Sequence, residues 1–321
     1  MGQKMKYFFI AVFLVVVMAG PLSRQAFAAT KKIGILLWSD ESRYKESARA
    51  MLEQLKADGF SDLEVRQESA GANKATAMHL AQDFSAANMD VYVGLGTNGM
   101  AALLKEIKSA PIVFNVVYDP VTAGFVDSWQ RSKNNVTGVS NFLPRADILE
   151  RVKGIVPLKN LAVLYTPDQK NSESQLRDLQ KVEKQCGVNV IPVPLSSSEE
   201  AVSIMPLLKG KVEAVFLTGS GYVGTAIGPI IGSAIKEKIV PVSHLPDYVD
   251  QGVFLSVGAD MRELGQTAAA KVEAILKGAL PTDIPVEGPK KIVIYLNLRT
   301  AKAIGFNVPD ELRKEALKIV E

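Results

Sequence analysis

One cysteine, two histidines and two tryptophans are all that the 321 residues offer of those types. A single thiol, Cys186, excludes an internal disulfide and any cysteine-based metal cluster. Its expected place is a buried, apolar one near the end of a helix. His79 and His244 lie far apart, without metal-ligand spacing, and neither has a nucleophile or an orienting acid beside it in sequence. His79 reads as a helix-surface residue. No G-x-S-x-G elbow is present; Ser220 lies in G-S-G instead. These shortages argue against catalysis, so no enzyme activity, cofactor or metal is expected. An excess of charge is missing too. Of 37 Lys+Arg, three (Lys4, Lys6 and Arg24) fall in the first 29 residues, which hold no acid, so the remainder carries 34 bases against 34 acids. A neutral surface gives no support for nucleic acid or an anionic membrane as partner.

Long apolar runs are scarce after the start of the chain. The first 29 residues combine two lysines, an apolar stretch from Tyr7 to Ala19, a helix-breaking Gly20-Pro21 and the sequence Ala26-Phe27-Ala28. That order is the order of a secretory signal peptide, here assigned to residues 1–28 with cleavage after Ala28. The stretch is shorter than the roughly 20 residues that span a bilayer, and the A-x-A ending disfavours an uncleaved anchor. No cysteine near the cut offers a lipid attachment point. An exported, soluble protein is expected, which discounts chemistry that needs intracellular nucleotide cofactors.

What the rest does have is alternation. Apolar runs such as IGILLW (33–38), VYVGLG (91–96), IVFNVV (112–117), LAVLYT (161–166) and EAVFLT (213–218) are separated by amphipathic stretches of helical period. Strands that read almost continuously apolar belong to parallel sheets covered on both faces, and βαβ alternation builds doubly wound α/β sheets. The order also repeats: GILLWSD (34–40) answers AVLYTPD (162–168), VYVGLGTNG (91–99) answers AVFLTGSGY (214–222), and PIVFNVVYD (111–119) answers VPVSHLPD (240–247). The length exceeds what one core usually serves. The expected fold is α/β, with two doubly wound parallel-sheet lobes joined by a hinge that the chain crosses three times. Residues 31–138 with 259–286 form one lobe, and 139–258 with 287–321 the other.

GLGTNG (94–99) is a literal G-x-G-x-x-G between a strand and a helix, and Asp119 stands 20 residues beyond Gly99, where a ribose-binding acid would lie. A second match, GSGYVG (219–224), holds the same place in the second half. A dinucleotide fingerprint normally follows the first strand of its unit, whereas each of these follows the third, so NAD is not expected. The physical content remains: a glycine-rich turn and a helix N-terminus at the carboxyl end of a sheet, where α/β proteins bind ligands. Thr97, Asn98 and Ser220 can serve there as helix caps, as ligand contacts, or as both. Other polar or aromatic groups at equivalent strand ends are Trp38, Ser39, Asp119, Ser140, Asn171, Ser172, Gly219, Tyr222 and His244. Trp38 and Tyr222 could sandwich a flat ligand, and both also make sense as packing residues; Asp119-Pro120 is equally a turn starter.

Several blocks in combination carry a family resemblance: FNVVYDPVTAGFV (114–126), NNVTGVSNFLP (134–144), LAVLYTPDQKNS (161–172), SVGADMRELGQTAAAKVEAILKG (256–278) and YLNLRTAKAIGFNVPDEL (295–312). From Lys31 to Glu321 the chain resembles ABC-transporter substrate-binding proteins, the tryptophan/tyrosine-type family of the type I periplasmic-binding fold. The resemblance implies a periplasmic monomer that captures a small-molecule solute between its lobes and delivers it to an ABC permease driven by a cytoplasmic ATPase. The solute implied is small and polar or amino-acid-like, with an aromatic one included; the alternatives are a periplasmic ligand-sensing receptor of the same fold and, behind it, an exported enzyme using the cleft. The family's cleft loops fall on Trp38-Ser39, Thr97-Asn98, Asp119, Asn171-Ser172, Thr218–Tyr222 and His244. Two departures stand out. Thr218-Gly219-Ser220 replaces a common Thr-Asp-Asn, and Ser243-His244 replaces Ser-Asp. Each removes an acid that could hold an ammonium group.

Overall fold

A computed structural model describes residues 30–321 except Arg131 and Lys133; the signal-peptide assignment lies outside the described residues. The first sheet uses β1 (Lys32–Leu37), β2 (Glu64–Ser69), β3 (Val91–Leu95), β4 (Ile112–Val117) and β5 (Val136–Ser140), all parallel, in the order β2-β1-β3-β4-β5. Between them run α1 (Ser42–Ala57), α2 (Lys74–Ala87) and α3 (Thr97–Glu106). After α4 (Arg145–Lys153) the pattern begins again: β6 (Asn160–Tyr165), α5 (Lys170–Cys186), β7 (Asn189–Pro194), the short helices α6 (Ser198–Ser203) and α7 (Met205–Leu208), β8 (Ala214–Leu217), α8 (Gly221–Lys236), β9 (Val240–Ser243) and β10 (Leu255–Gly258). These five strands take the order β7-β6-β8-β9-β10. The repeated sequence blocks therefore mark a repeated topology.

The chain crosses from the first sheet to the second after Ser140, and returns after Gly258 as α9 (Met261–Leu276). Helix α9 packs on the first sheet beside α1, where Leu264, Ala268 and Val272 share a core with Ile33, Ile35 and Met51. The opposite face of that sheet is covered by Phe84, Met100 and Leu103 from α2 and α3. Residues 284–287 then run beside β5: the Thr137 hydroxyl donates to the Ile284 carbonyl at 2.8 Å and the Ser140 amide to the Glu287 carbonyl at 2.8 Å. Lys271, almost fully buried, clamps this segment through the Pro285 carbonyl and the Glu287 carboxylate, both at 2.7 Å.

The final crossing delivers β11 (Val293–Asn297), α10 (Leu298–Ile304), α11 (Asp310–Glu315) and β12 (Ala316–Val320) to the second sheet. Because the chain re-enters from the first sheet, β11 meets β10 antiparallel. At the sheet's edge β12 pairs parallel with β11. Cys186 is the last residue of α5 and buried, and His79 sits on α2 with its side chain exposed, both as expected. No helix among the described residues is long and apolar enough to cross a membrane.

Candidate functional site

The carboxyl ends of β1, β3 and β4 face those of β6, β8 and β9 across a cavity of about 390 Å³, within the range of small-molecule sites. The loop after β1 supplies Trp38, Ser39 and Glu41, and α1 adds Arg43 and Tyr44. Thr97 and Asn98 contribute from the start of α3, and Val116 and Tyr118 from the end of β4. Val116 occupies a β-bulge at φ 54, a conformation a β-branched residue rarely takes. From the second lobe come Asn141, Gln169, Asn171, Gln175, the turn Gly219–Gly221, and His244.

The two glycine-rich turns look alike in sequence and differ in what they leave open. In the second, the Gly219 amide donates to Gln175 Oε1 and the Gly221 amide to Gln169 Oε1, both at 3.0 Å, while Asn171 Nδ2 donates to the Gly219 carbonyl at 2.7 Å. Ser220 caps α8 by accepting from the Val223 amide. That turn is satisfied by its own lobe. In the first, Gly96 is the N-cap of α3 at φ 84, and no side chain caps the helix. A Cβ on Gly96 would stand 2.8 Å from the Tyr44 hydroxyl, so glycine is required there on both counts. Thr97 and Asn98 thus present their side chains at an uncapped helix N-terminus, where the dipole and unpaired amides favour an acceptor.

Eight expected residues line the cavity: Trp38, Ser39, Thr97, Asn98, Asn171, Gly219, Ser220 and His244. Four do not. Asp119 accepts the Thr122 amide at 2.9 Å and serves its turn. Ser140, fully buried, donates to the Tyr118 carbonyl and accepts the Phe142 amide. Ser172, also fully buried, accepts the Thr166 amide and bonds the Thr218 hydroxyl. Tyr222 is exposed on α8 and off the wall, so Tyr44 and Tyr118 are the tyrosines beside the cavity.

Sequence reasoning missed the strongest charges. Arg43, 5% exposed, donates through Nη1 to Asp247 Oδ2 at 2.7 Å and through Nη2 to Glu41 Oε2 at 2.6 Å. Glu41 also accepts the Ser39 hydroxyl at 2.5 Å. The guanidinium lies over the rings of Tyr44 and Tyr248, 4.7 and 5.5 Å from their centroids. Burial pushes the Asp247 carboxyl up and Arg43 opposes this; the direct 2.7 Å contact makes the two an ion pair. Since Asp247 follows β9 and Arg43 belongs to α1, the pair joins the lobes. Glu41 lines the cavity and Asp247 lies against Arg43, so acidic groups stand at this end of the cleft. The signal available in sequence was the E-S-R run at 41–43, directly after the first strand.

Among the described residues no group of three or more His, Cys, Asp or Glu could hold a metal ion. A family model described as ABC transporter substrate binding protein matches residues 32–320. The chain belongs to this family. A curated relative, the tyrosine-binding protein of Clostridioides difficile (strain R20291), is 26% identical over 279 residues, covering 85% of this chain and 81% of that one. Among solved structures, a conserved domain protein of Vibrio cholerae superposes with a TM-score of 0.84 at 28% identity, covering 90% of this chain and 99% of that one. The ABC domain of Streptococcus pneumoniae in complex with L-Trp also gives 0.84, at 22% identity, covering 91% of this substrate-binding chain and all of that one, a likeness of fold. This chain of the family thus folds as two α/β lobes with a cavity between them.

Proposed function

We propose that this chain is the solute-capturing component of an ABC importer, exported to the periplasm, and that it takes an amino-acid-like, aromatic solute between its lobes. The observation that carries the reading is the cavity itself. Both lobes contribute to its wall, Trp38 and Tyr44 supply aromatic surface, and the uncapped start of α3 offers Thr97 and Asn98 to a polar end of the solute. The relative named as tyrosine-binding and the neighbour in complex with L-Trp support the aromatic class. Capture at such a site needs contacts from both lobes at once, so binding and closure are linked.

Trp38 and Trp129 are the two tryptophans, and Trp38 alone of them lines the cavity. In a Trp129→Phe background, L-tyrosine or L-phenylalanine should therefore change the remaining emission saturably, and calorimetry should give one site per chain. Mass spectrometry of solute released from freshly purified protein should identify the same chemical class. Absence of binding by any aromatic amino acid, together with a released solute of another class, would refute the aromatic assignment. Deleting the gene for this chain should abolish uptake of the solute into cells, and unchanged uptake would refute the importer role.

A further inference from the structure

Solute binding as described leaves one buried charge without a use. Arg145, the first residue of α4, is 2% exposed. Its Nε donates to the Tyr118 hydroxyl at 2.9 Å, and its guanidinium lies 4.5 Å from the Tyr118 ring centroid and 5.7 Å from that of Phe216. Nη1 and Nη2 have no hydrogen-bond partner among the described residues. Beside it, His244 stacks on Phe216 at 5.8 Å and meets Tyr118 edge-on at 5.8 Å, and neither of its ring nitrogens has a partner. Asn141 Oδ1 is a further buried atom without one. Tyr118, Asn141 and His244 belong to the cavity wall, and Arg145 stands directly behind them.

The contrast with Arg43 decides what this cluster is for. Arg43 touches two carboxylates. Arg145 touches none among the described residues; the carboxylate of Asp178 reaches it through the Tyr118 hydroxyl, which donates to Asp178 at 2.8 Å. A buried cation with free N–H groups is costly unless an acceptor meets it, and an ionised acceptor meets it best. We propose that this end of the cavity is a subsite for an acidic group of the solute, a carboxylate held by Arg145 with the His244 imidazole, separate from the group that meets the Thr97–Asn98 turn. The inference rests on the reading of the cleft as a solute site. Burial first, and then the fields of Arg145 and Arg43, hold the His244 imidazole well below its ordinary value. The ring is therefore neutral and offers one N–H, and the Asn141 amide can turn either its oxygen or its NH₂ toward the ligand. With one polar seat in each lobe, a solute carrying two such ends ties the lobes together.

The test uses the mature chain with two probes that differ by one acid, L-phenylalanine and 4-carboxy-L-phenylalanine, and with terephthalate. Calorimetry should show the carboxylated amino acid binding about tenfold or more tightly than L-phenylalanine. Arg145→Met should erase that advantage, weakening 4-carboxy-L-phenylalanine by about tenfold or more, and melt no earlier than wild type when ligand-free. A merely structural Arg145 would melt early and keep the ratio. A second readout needs no variant at Arg145: in a His79→Gln background the ring nitrogens of His244 give a lone imidazole signal, which the carboxylated probe should move. Equal affinities for the two amino acids, or binding of 4-carboxy-L-phenylalanine with the His244 signal unmoved, would overturn the inference while leaving solute binding intact. Silence from all three probes would overturn both.

Discussion

Thr97 separates service to the solute from service to the helix. Helix α3 has Gly96 as its N-cap and no side-chain cap, so the Thr97 hydroxyl can be removed without costing the fold a capping bond. Thr97→Val should weaken solute binding by about 10- to 150-fold, the equivalent of about 1.5–3 kcal/mol for a bond to a charged group. The ligand-free melting temperature should stay within about 2 °C of wild type. Calorimetry and melting on the same preparation check this; early melting with wild-type affinity would assign Thr97 to the fold. His244 makes a prediction about pH. Its folded pKa is lowered by burial, Arg145 and Arg43, so the unfolded chain takes up a proton near pH 6.5 that the folded chain refuses. Stability from this residue is complete above about pH 6.5 and falls by up to about 1.4 kcal/mol per pH unit below it. Urea unfolding at several pH values should show a steeper acid-side loss for wild type than for His244→Gln. Parallel curves would mean that the imidazole protonates freely in the folded state.

At the scale of elements, most strands and their repeat along the chain were legible, because runs buried on both faces read as continuous apolar blocks and the blocks recur. The site was legible only where a strand end fixes position. Trp38, Thr97, Asn171 and His244 follow strands directly or begin the next helix, and all reach the cavity. The similar turns GLGTNG and GSGYVG could not be told apart in sequence, because the glutamines that occupy the second, Gln169 and Gln175, come from the N-cap and body of α5, about 50 residues earlier in the chain. Arg43 and Asp247 are 204 residues apart, and no local pattern announces such a pair. Close helix packing is likewise hidden until the backbone is seen. A Cβ on Gly265 of α9 would lie 2.3 Å from the Ser47 carbonyl oxygen and 2.9 Å from the Ala50 Cβ of α1. Gly265→Ala should therefore destabilise by about 1–3 kcal/mol despite alanine's better helix propensity. Gly228→Ala in α8, where nothing lies within 4 Å, should stabilise by up to about 1 kcal/mol. Denaturant midpoints of the two variants should move in opposite directions; equal shifts would show that α1 and α9 part without cost.

For the whole molecule, the Arg43–Asp247 pair is a contact that separating the lobes must break. Asp247→Asn should leave the melting of the ligand-free protein near that of wild type, since water can replace the partner once the cleft opens. It should weaken solute binding by about tenfold or more, because closure then buries Arg43 with Glu41 alone. Small-angle scattering should show a smaller radius of gyration with solute than without, and a higher solute concentration should be needed to reach it in the variant. Unchanged affinity would show that the pair contributes nothing to closing. The position of α9 carries a different consequence, for the order in which the protein is made. Strand β1 and helix α1 are synthesised first, yet the apolar face they share is sealed by Leu264, Ala268 and Val272, which follow only after every strand from β6 to β10. At about 5–20 residues per second, that face waits on the order of ten seconds for its cover. A chain interrupted between β5 and α9 therefore presents a finished sheet with one side covered only by α1, and the strands made first are among the last to be closed.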